Sequence, residues 1–279
     1  MITLISIELF KIFKKWRTYI GFIAIAILIP LIEIAMNIEG TRSINFATRQ
    51  LSETFIFVGN LLNTYFVSYL ILNSLAVHIP FLITLVAGDL LAGEATAGTY
   101  RILVTRPVTR FNIVTSKFIA GIIYTFLLIL WLAVISLGLG YFIFGTGELI
   151  VLKSGVIIVL AKNDVLWRFA LAYCFAVLSM GVVASLAFLF SALVENAIGP
   201  IITTMAIIII FIILSAINID VFQSIKPFLF TTYMNTWSSF FDNPMDTSEI
   251  IKSVSVLSAH IIVFYGLALY IFQKKDILT

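Results

Sequence analysis

The chain alternates long uncharged apolar runs with short polar segments, and this pattern predicts several membrane-spanning helices. A helix needs about 20 apolar residues to cross the hydrocarbon core of a bilayer. Six stretches reach or approach this length: residues 18–32 with a continuation to about 37, a stretch within 54–88 that begins near 58, and 118–144, 169–194, 197–219 and 253–273. We therefore expect an all-α fold, a polytopic membrane helix bundle with about six transmembrane helices.

The first 17 residues carry a second pattern, that of an amphipathic helix. Apolar side chains from Ile2 to Trp16 recur at helical spacing, and Glu8 lies with the lysines on the opposite face. This arrangement is typical of an interfacial helix that lies on the membrane and directs its cations at anionic headgroups. A signal peptide is the alternative, but the apolar run that follows ends in Pro30 and Glu33 rather than in a small-residue cleavage site.

Two further segments are predicted to lie outside the membrane. Residues 154–161 are apolar but too short to cross it, so we expect them in an outer loop. Residues 220–252 match no recognisable pattern and are also assigned to an outer loop. Pro80 lies inside the second apolar run, where it is expected to kink the helix. No internal repeat is present, and residues 1–279 are expected to form a single transmembrane domain.

Composition agrees with the membrane assignment. Of the residues, 61% are hydrophobic and 11% are charged, and the mean hydropathy is +1.13, whereas soluble domains are about 45–50% apolar and about 25% charged. The 279 residues leave no room for an additional soluble catalytic domain of ordinary size, about 100–150 residues. The single cysteine, Cys174, excludes an intrachain disulfide, and we expect it to be a small buried hydrophobic residue.

The distribution of lysine and arginine predicts the orientation, because positively charged loops stay on the cytoplasmic side. An even number of spans places both termini on one side, which then holds ten of the 17 basic residues, including those of residues 88–117. The other side holds seven, spread over longer loops. We expect a multi-pass protein of the cytoplasmic membrane with both termini in the cytoplasm. Nucleic acid is not an expected partner, because the basic residues are not gathered into one patch.

One compact polar segment separates the second and third apolar runs. Residues 88–117 read GDLLAGEATAGTYRILVTRPVTRFNIVTSK. Helix propensity falls at Gly98 and the step into Pro107 disfavours helix, so we expect a helical end, a break, a short helix and a turn. A carboxylate at Glu94 is costly near the membrane boundary unless it is hydrated or paired. Its possible partners are the nearby cations Arg101, Arg110 and Lys117.

This segment resembles the cytoplasmic segment of ABC-2 type transporter permeases. That family has a Glu-x-x-x-Gly-Thr element, a Pro-x-x-Arg turn and a lysine that opens the next span. The matching residues here are Glu94, Gly98 and Thr99, then Pro107 and Arg110, and finally Lys117. The ending at 272–277 also looks like the family's Phe-x-basic-Asp terminus. About thirty residues carry the specific part of the resemblance.

The resemblance implies the membrane subunit of an ABC exporter. Residues 88–117 would contain the cytoplasmic coupling helix, seated in a groove of a cytoplasmic ABC ATPase subunit, which would bind ATP and Mg. The residues expected to couple to it are Glu94, Gly98, Thr99, Arg101, Arg106, Pro107, Arg110 and Lys117. A second copy of this chain or a related permease would complete the assembly within membrane lipid. Gly98 has an alternative reading as a helix C-cap and Lys117 as an anchor at the membrane boundary.

The chain itself is not expected to be an enzyme or to bind ATP, a cofactor or a metal. Gly93 and Gly98 have the spacing of a phosphate-binding loop, but Thr99 and Tyr100 follow where Lys and Ser or Thr are required. No metal-ligand spacing or catalytic constellation is present in the sequence. ATP hydrolysis is therefore assigned to the separate subunit.

Polar residues inside the apolar runs are candidates for a substrate path. Glu33, Asn73 and His78 are the strongest, because polar groups at membrane depth usually face protein or water rather than lipid. Two other functions remain open: a secondary transporter driven by an ion gradient, and a membrane scaffold that transports nothing. The middles of spans three to six lack acidic and basic residues apart from His260, which disfavours the gradient-driven transporter.

Overall fold

A computed structural model describes residues 1–47, 61–75, 77–99, 108–153, 156–217 and 219–275. The helices in chain order are α1 (Ile2–Lys14), α2 (Trp16–Ala47), α3 (Thr64–Leu75), α4 (Ile79–Ala87), α5 (Asp89–Thr96), α6 (Arg110–Phe144), α7 (Lys162–Leu193), α8 (Ile198–Ala216), α9 (Asp220–Gln223), α10 (Phe230–Met234) and α11 (Thr247–Lys274). Strands β1 (Leu149–Lys153) and β2 (Val156–Leu160) lie between α6 and α7, and 3-10 helices cover Lys226–Phe228 and Asn235–Phe241.

Within the described residues, five helices are long and apolar enough to cross a membrane: α2, α6, α7, α8 and α11. Helices α3 and α4 pass the same test together, with a bend of 54° between them, and count as a sixth span when the bent pair is taken as one. The all-α membrane bundle with about six transmembrane helices is therefore confirmed. Helix α6 begins at Arg110 rather than at 118, so Lys117 lies about two turns inside the helix.

The second span is broken rather than kinked. Helix α3 ends at Leu75, and α4 starts again at Ile79 with Pro80 in its first turn. Proline has no N–H to donate, but the first turn of a helix needs no such donor, so proline is well tolerated there. Pro80 therefore begins a helix instead of bending one.

Helix α7 forms the centre of the bundle. Of its most apolar stretch 78% is buried, against 22% for α2 and α8 and 11% for α11. It packs against α4, α6, α8 and α11. Small side chains allow these helices to approach closely, and the small buried residues of α7 are Ala172, Ala176, Ser179, Gly181, Ala184, Ser185, Ala187, Ser191 and Ala192. Cys174 lies on the periphery and is exposed, so the prediction of a buried cysteine is wrong.

One end of the bundle, which we call the hairpin end, contains β1, β2 and the described residues between 219 and 246. The strands pair antiparallel with Leu149 opposite Leu160. The expected outer loop at 154–161 is thus wrong in part, since residues 156–160 form a strand. The β-branched residues of this segment suit a pleated strand. The hairpin buries the side chains of Leu149 and Val151 from β1 and of Leu160 from β2.

Residues 220–252 are also more ordered than the expected outer loop. They contain α9, α10 and both 3-10 helices, and α11 already begins at Thr247, where Asp246 caps it by accepting a hydrogen bond from the Glu249 N–H at 3.0 Å. Aromatic burial explains the order. The buried aromatic side chains are Phe230, Tyr233, Trp237, Phe240 and Phe241. An irregular segment with this much apolar surface gains more by packing on the bundle than by staying in water.

Arg168 fastens this segment to α7. Its guanidinium donates to the carbonyl oxygens of Phe240 at 2.9 Å and Asp242 at 2.8 Å, and it lies 2.8 Å from a carboxylate oxygen of Asp164. The side chain is only 7% exposed. Lys153 of β1 adds a second tie to the Asp242 carboxylate at 2.6 Å.

The opposite end, which we call the charged end, gathers α1, α5, the first turns of α6, the α7–α8 turn and the end of α11. Helix α1 packs against α6, and Glu8 and Ile12 are buried in this contact. Glu8 was expected on the outward polar face of α1 with the lysines, and this is wrong, because Glu8 is buried. Ile2 and Trp16, which belong to the predicted apolar arc, are 85% and 86% exposed. The inward face of α1 is thus partly ionic.

Replacing Arg168 should loosen the hairpin end. We expect Arg168→Met to lower the free energy of unfolding by about 3 kcal/mol, because two carbonyl groups lose a charged donor. Thermal unfolding of the purified protein in detergent measures the effect. Lys162→Met, which changes an exposed cation at the first position of the same helix, serves as the control. Equal midpoints for the two variants would contradict the assigned role.

Candidate functional site

The Glu-x-x-x-Gly-Thr element forms the C-terminal cap of α5. The N–H of Thr99 donates to the carbonyl of Glu94 at 3.0 Å, and the N–H of Gly98 donates to the carbonyl of Ala95 at 2.9 Å. This pair of hydrogen bonds is the Schellman motif, which requires a left-handed residue after the helix. Gly98 supplies it with φ +66°. The reading of Gly98 as a helix C-cap is confirmed.

The side chains of the same element close a second loop. The Thr99 hydroxyl donates to the Glu94 carbonyl at 3.1 Å and also to the Glu94 carboxylate. The carboxylate is therefore held in one orientation by the residue that follows the glycine. The spacing of the element matters because the backbone turn at Gly98 places the Thr99 side chain over Glu94.

Glu94 belongs to a ring of four charged side chains, which we call the ionic ring: Glu8, Lys11, Glu94 and Lys117. The Lys117 ammonium lies 2.7 Å from Glu8 Oε2 and 3.0 Å from Glu94 Oε1. The Lys11 ammonium lies 2.9 Å from Glu8 Oε1 and 2.9 Å from Glu94 Oε1. Charges balance within the ring, and the Lys117 side chain is only 2% exposed. The ring joins α1, α5 and α6.

The ring shifts the pKa values of two of its members, Glu94 and Lys11. Burial alone would raise the pKa of Glu94, but the Lys117 ammonium and the hydrogen bonds from Thr99 and Lys11 lower it to about 2. Burial also disfavours the charged form of Lys11, yet the hydrogen bonds to Glu94 and Glu8 raise its pKa above its ordinary value. Both groups are therefore charged near neutral pH.

A second ion cluster lies beside the ring. Asp89, at the first position of α5, has one oxygen 2.7 Å from Lys15 and the other 2.7 Å from Arg17. Gly93 leaves room for this carboxylate, because a Cβ at that position would lie 2.3 Å from Asp89 Oδ1. An acidic residue in the first turn also suits the positive end of the helix dipole.

Helix α5 is tied to the central helix as well. The Ser191 hydroxyl of α7 accepts hydrogen bonds from the N–H groups of Leu91 at 3.0 Å and Ala92 at 2.8 Å. Thr96 donates to the carbonyl of Glu195 at 2.8 Å, in the α7–α8 turn. Both ends of α5 are thus fixed to α7 or to the turn that follows it.

Arg110 is not a partner of Glu94. Its guanidinium donates to the carbonyl oxygens of Phe272 at 3.3 Å, Gln273 at 2.8 Å and Lys275 at 2.9 Å, which lie at the end of α11. Carbonyl groups at the end of a helix have no partner within the helix, and a cation suits their negative dipole. The first residue of α6 therefore holds the last turn of α11.

The predicted site residues fall into three groups: those at the charged end, those outside the described residues, and the substrate-path residues. Glu94, Gly98, Thr99, Arg110 and Lys117 all lie at the charged end, and of the three possible partners of Glu94 named from the sequence, Lys117 pairs with it. The reading of Lys117 as a boundary anchor does not fit its burial in the ionic ring. Arg101, Arg106 and Pro107 lie outside the described residues.

The expected substrate-path residues do not form one site. Glu33 is fully buried, and a Cβ at Gly140 would lie 3.5 Å from its Oε1 and 3.0 Å from Thr64 Cγ2. Asn73 and His78 are exposed. Asn73 lies nine residues beyond Thr64, about 13 Å farther along α3. Glu33 and Asn73 are therefore well separated along the bundle.

Sequence reasoning missed Glu8, Lys11 and Asp89 as members of the site. The amphipathic pattern placed Glu8 with the lysines on an outer face, because it treated α1 as a helix whose only neighbour is the membrane. One signal was present: Glu8 precedes the buried Ile12 by one helical turn, so both lie on the same face. Among the described residues, no group of three or more His, Cys, Asp or Glu side chains is placed to hold a metal ion.

Breaking the ionic ring should destabilise the protein strongly. We expect Glu94→Ala to lower the free energy of unfolding by about 3 kcal/mol, because Lys117 stays buried with only one carboxylate. The double variant Glu94→Ala/Lys117→Met should be less destabilised than the sum of the effects of the single variants Glu94→Ala and Lys117→Met. Thermal unfolding in detergent measures each change, and the control is Glu39→Gln, because the Glu39 side chain is 60% exposed. Additive effects would argue against a direct interaction.

The ring should also make stability sensitive to acid. The folded pKa of Glu94, about 2, lies below its ordinary value of 4.5, so its contribution is fully present above pH 4.5 and is lost as the pH falls toward 2. We expect the difference in stability between the natural protein and Glu94→Gln to shrink over this range. Unfolding midpoints of both proteins measure it. A difference that stays constant with pH would contradict the paired, ionised Glu94.

Comparison with known proteins identifies the family. A family model described as "Protein of unknown function (DUF2705)" matches residues 21–278. The chain is also 30% identical over 206 residues to "Uncharacterized protein YhcI" of Bacillus subtilis (strain 168), over 69% of this chain and 63% of that relative. It thus spans less than two thirds of the relative's length. Because the family model covers nearly all of the sequence, the chain belongs to the DUF2705 family.

Proposed function

We propose that this chain is the transmembrane permease subunit of an ATP-binding cassette transporter, an exporter that uses ATP hydrolysed by a separate subunit. The observation that carries the proposal is the end of α5. There the Glu-x-x-x-Gly-Thr element forms a capped turn whose glutamate is fixed to α1 by an ion pair with Lys11 and to α6 by an ion pair with the buried Lys117. This is the element in which the sequence resembles ABC-2 type permeases.

A coupling element has to pass movement from a soluble partner to the spans without bending. The end of α5 meets this requirement on three sides. Glu94 connects it to α1 and α6, and Thr96 connects it to the α7–α8 turn. A force applied beyond Thr99 therefore reaches several spans through charged and hydrogen-bonded contacts. The polar segment that follows, with Arg101 and Arg106, is proposed as the surface that binds the ATPase.

In this proposal the charged end faces the cytoplasm. The concentration of cations there supports the orientation, because cytoplasmic segments next to spans are enriched in lysine and arginine. The described cations at this end are Lys11, Lys14, Lys15, Arg17, Arg110, Lys117, Lys274 and Lys275. Two such chains, or this chain and a related permease, would bind two ABC ATPase subunits with two-fold symmetry, and ATP and Mg would bind to those subunits.

Two observations favour a gradient-driven transporter as the second candidate. The Glu33 carboxylate is fully buried and has no ion pair among the described residues, and the flanking residues 22–32 and 34–36 of α2 are apolar. The break between α3 and α4 adds a discontinuous span. Secondary transporters use ionisable groups and broken helices of this kind. Transport that stops with a protonophore but continues after ATP depletion would favour this candidate.

The orientation can be tested with single cysteines in a Cys174→Ser background. Ala97→Cys lies on the exposed turn at the end of α5, and Lys162→Cys lies exposed at the hairpin end as the matched control. We expect a membrane-impermeant thiol reagent to label Lys162→Cys in intact cells and Ala97→Cys only after permeabilisation. Labelling of Ala97→Cys in intact cells would rule out contact with a cytoplasmic ATPase.

The partner can be tested with the same two variants. A tagged chain purified from its native membrane should bring with it a soluble protein with a Walker motif, and a thiol crosslinker should join that protein to Ala97→Cys but not to Lys162→Cys. Vanadate-sensitive ATPase activity of the reconstituted complex should respond to transport substrates. If both cysteines crosslink equally, or neither does, the proposed coupling surface is wrong.

A further inference from the structure

A cavity of about 280 Å³ opens at the charged end between α1, the start of α2, α5 and α6. The ionic ring and the Asp89 cluster line it together. Its floor contains Lys117, whose side chain is 2% exposed, whereas Lys11, Lys15 and Arg17 are 39% to 49% exposed and reach solvent. The cavity is therefore accessible from outside and charged throughout its depth.

The cavity carries an excess of positive charge. Its lining contains five cations, which are Lys11, Lys14, Lys15, Arg17 and Lys117, and three carboxylates, which are Glu8, Asp89 and Glu94. Each carboxylate already contacts two cations, so none offers a free negative charge. Lys14 has no ion pair among the described residues. An anion that entered would meet two uncompensated positive charges and the unused N–H donors of Arg17.

The uncharged part of the lining contains an apolar wall beside the hydroxyl residues Thr18 and Thr99. Ile12, Val86 and Leu90 form this wall, and each is at least nine-tenths buried. The cavity lies where α1 meets the first span, and its lining residues Lys15 and Arg17 flank Trp16 in the chain, whose ring is exposed. Aromatic rings of this kind sit at the level of lipid headgroups. The surroundings thus suit a molecule with an anionic head and an apolar body.

We propose that this cavity binds the phosphate group of an anionic lipid headgroup. The volume of about 280 Å³ admits a headgroup but not the acyl chains, which would extend from it along the outside of the bundle. Phosphate oxygens would be held by Arg17, Lys14 and Lys15, and the bound lipid would fasten α1 to α5. The proposal does not depend on an ATPase partner, so either idea can fail without the other.

The experiment uses the full chain, purified in a neutral detergent and titrated with phosphatidylglycerol or, separately, phosphatidylcholine. Native mass spectrometry counts bound lipid, and the unfolding midpoint reports stabilisation. We expect saturable binding of one phosphatidylglycerol and none of phosphatidylcholine. Lys14→Gln/Lys15→Gln should weaken binding about 25-fold, since each positive charge near a membrane surface is worth about a fivefold change in affinity. Lys162→Gln/Lys252→Gln, at the hairpin end, is the matched control and should bind as the natural protein does.

A steric variant separates the cavity from general attraction to anionic surfaces. Ala97 lines the cavity and is exposed, so Ala97→Trp should fill the opening without changing any charge. Loss of the bound lipid in Ala97→Trp supports the site, whereas unchanged binding in this variant overturns it. Equal weakening by the hairpin-end control also overturns it. Saturable binding of inorganic phosphate or glycerol phosphate with no binding of phosphatidylglycerol would overturn the lipid assignment.

Discussion

The charged end depends on the burial of one ammonium group. Lys117 lies inside the bundle, where an unpaired cation would cost several kcal/mol. Its two carboxylate neighbours offset this cost and are therefore required for the fold of this end. One comes from α1 and the other from α5. Because these residues are 109 and 23 positions away along the chain, a local requirement for charge balance fixes how three distant segments pack.

The sequence predicts the spans well because crossing a membrane demands a minimum apolar length, and that length can be read directly. It predicts that Glu94 needs a nearby cation and narrows the partners to three, of which Lys117 is the one observed. It does not predict the role of Glu8, since helical periodicity sorts residues by polarity and cannot tell a polar face that meets water from one that meets a buried cation. The strand at 156–160 was missed for a similar reason: eight apolar residues fit a loop, a strand or a buried turn equally well.

At each end of the bundle an arginine donates hydrogen bonds to backbone carbonyl groups, although the two arginines lie in different surroundings. Arg168 holds the backbone of the segment before α11, and Arg110 holds the backbone at the end of α11. In each case a planar guanidinium satisfies carbonyl groups that no helix or strand supplies with donors. Helix α11, little buried along its length, is therefore secured at both ends by residues of other helices. Because Arg110 belongs to the Pro-x-x-Arg turn that resembles ABC-2 permeases, it was expected to contact a partner protein. Its described contacts lie within the chain, at the end of α11.

Helix α7 has a consequence for how the two ends of the molecule communicate. Ser191 near its last turn holds α5, and Arg168 near its first turn holds the hairpin end. The 32 residues of this helix form a rod about 48 Å long. A displacement of α5 would either move this helix as a rigid unit or break the serine contacts, so the central helix links the packing of the two ends of the bundle.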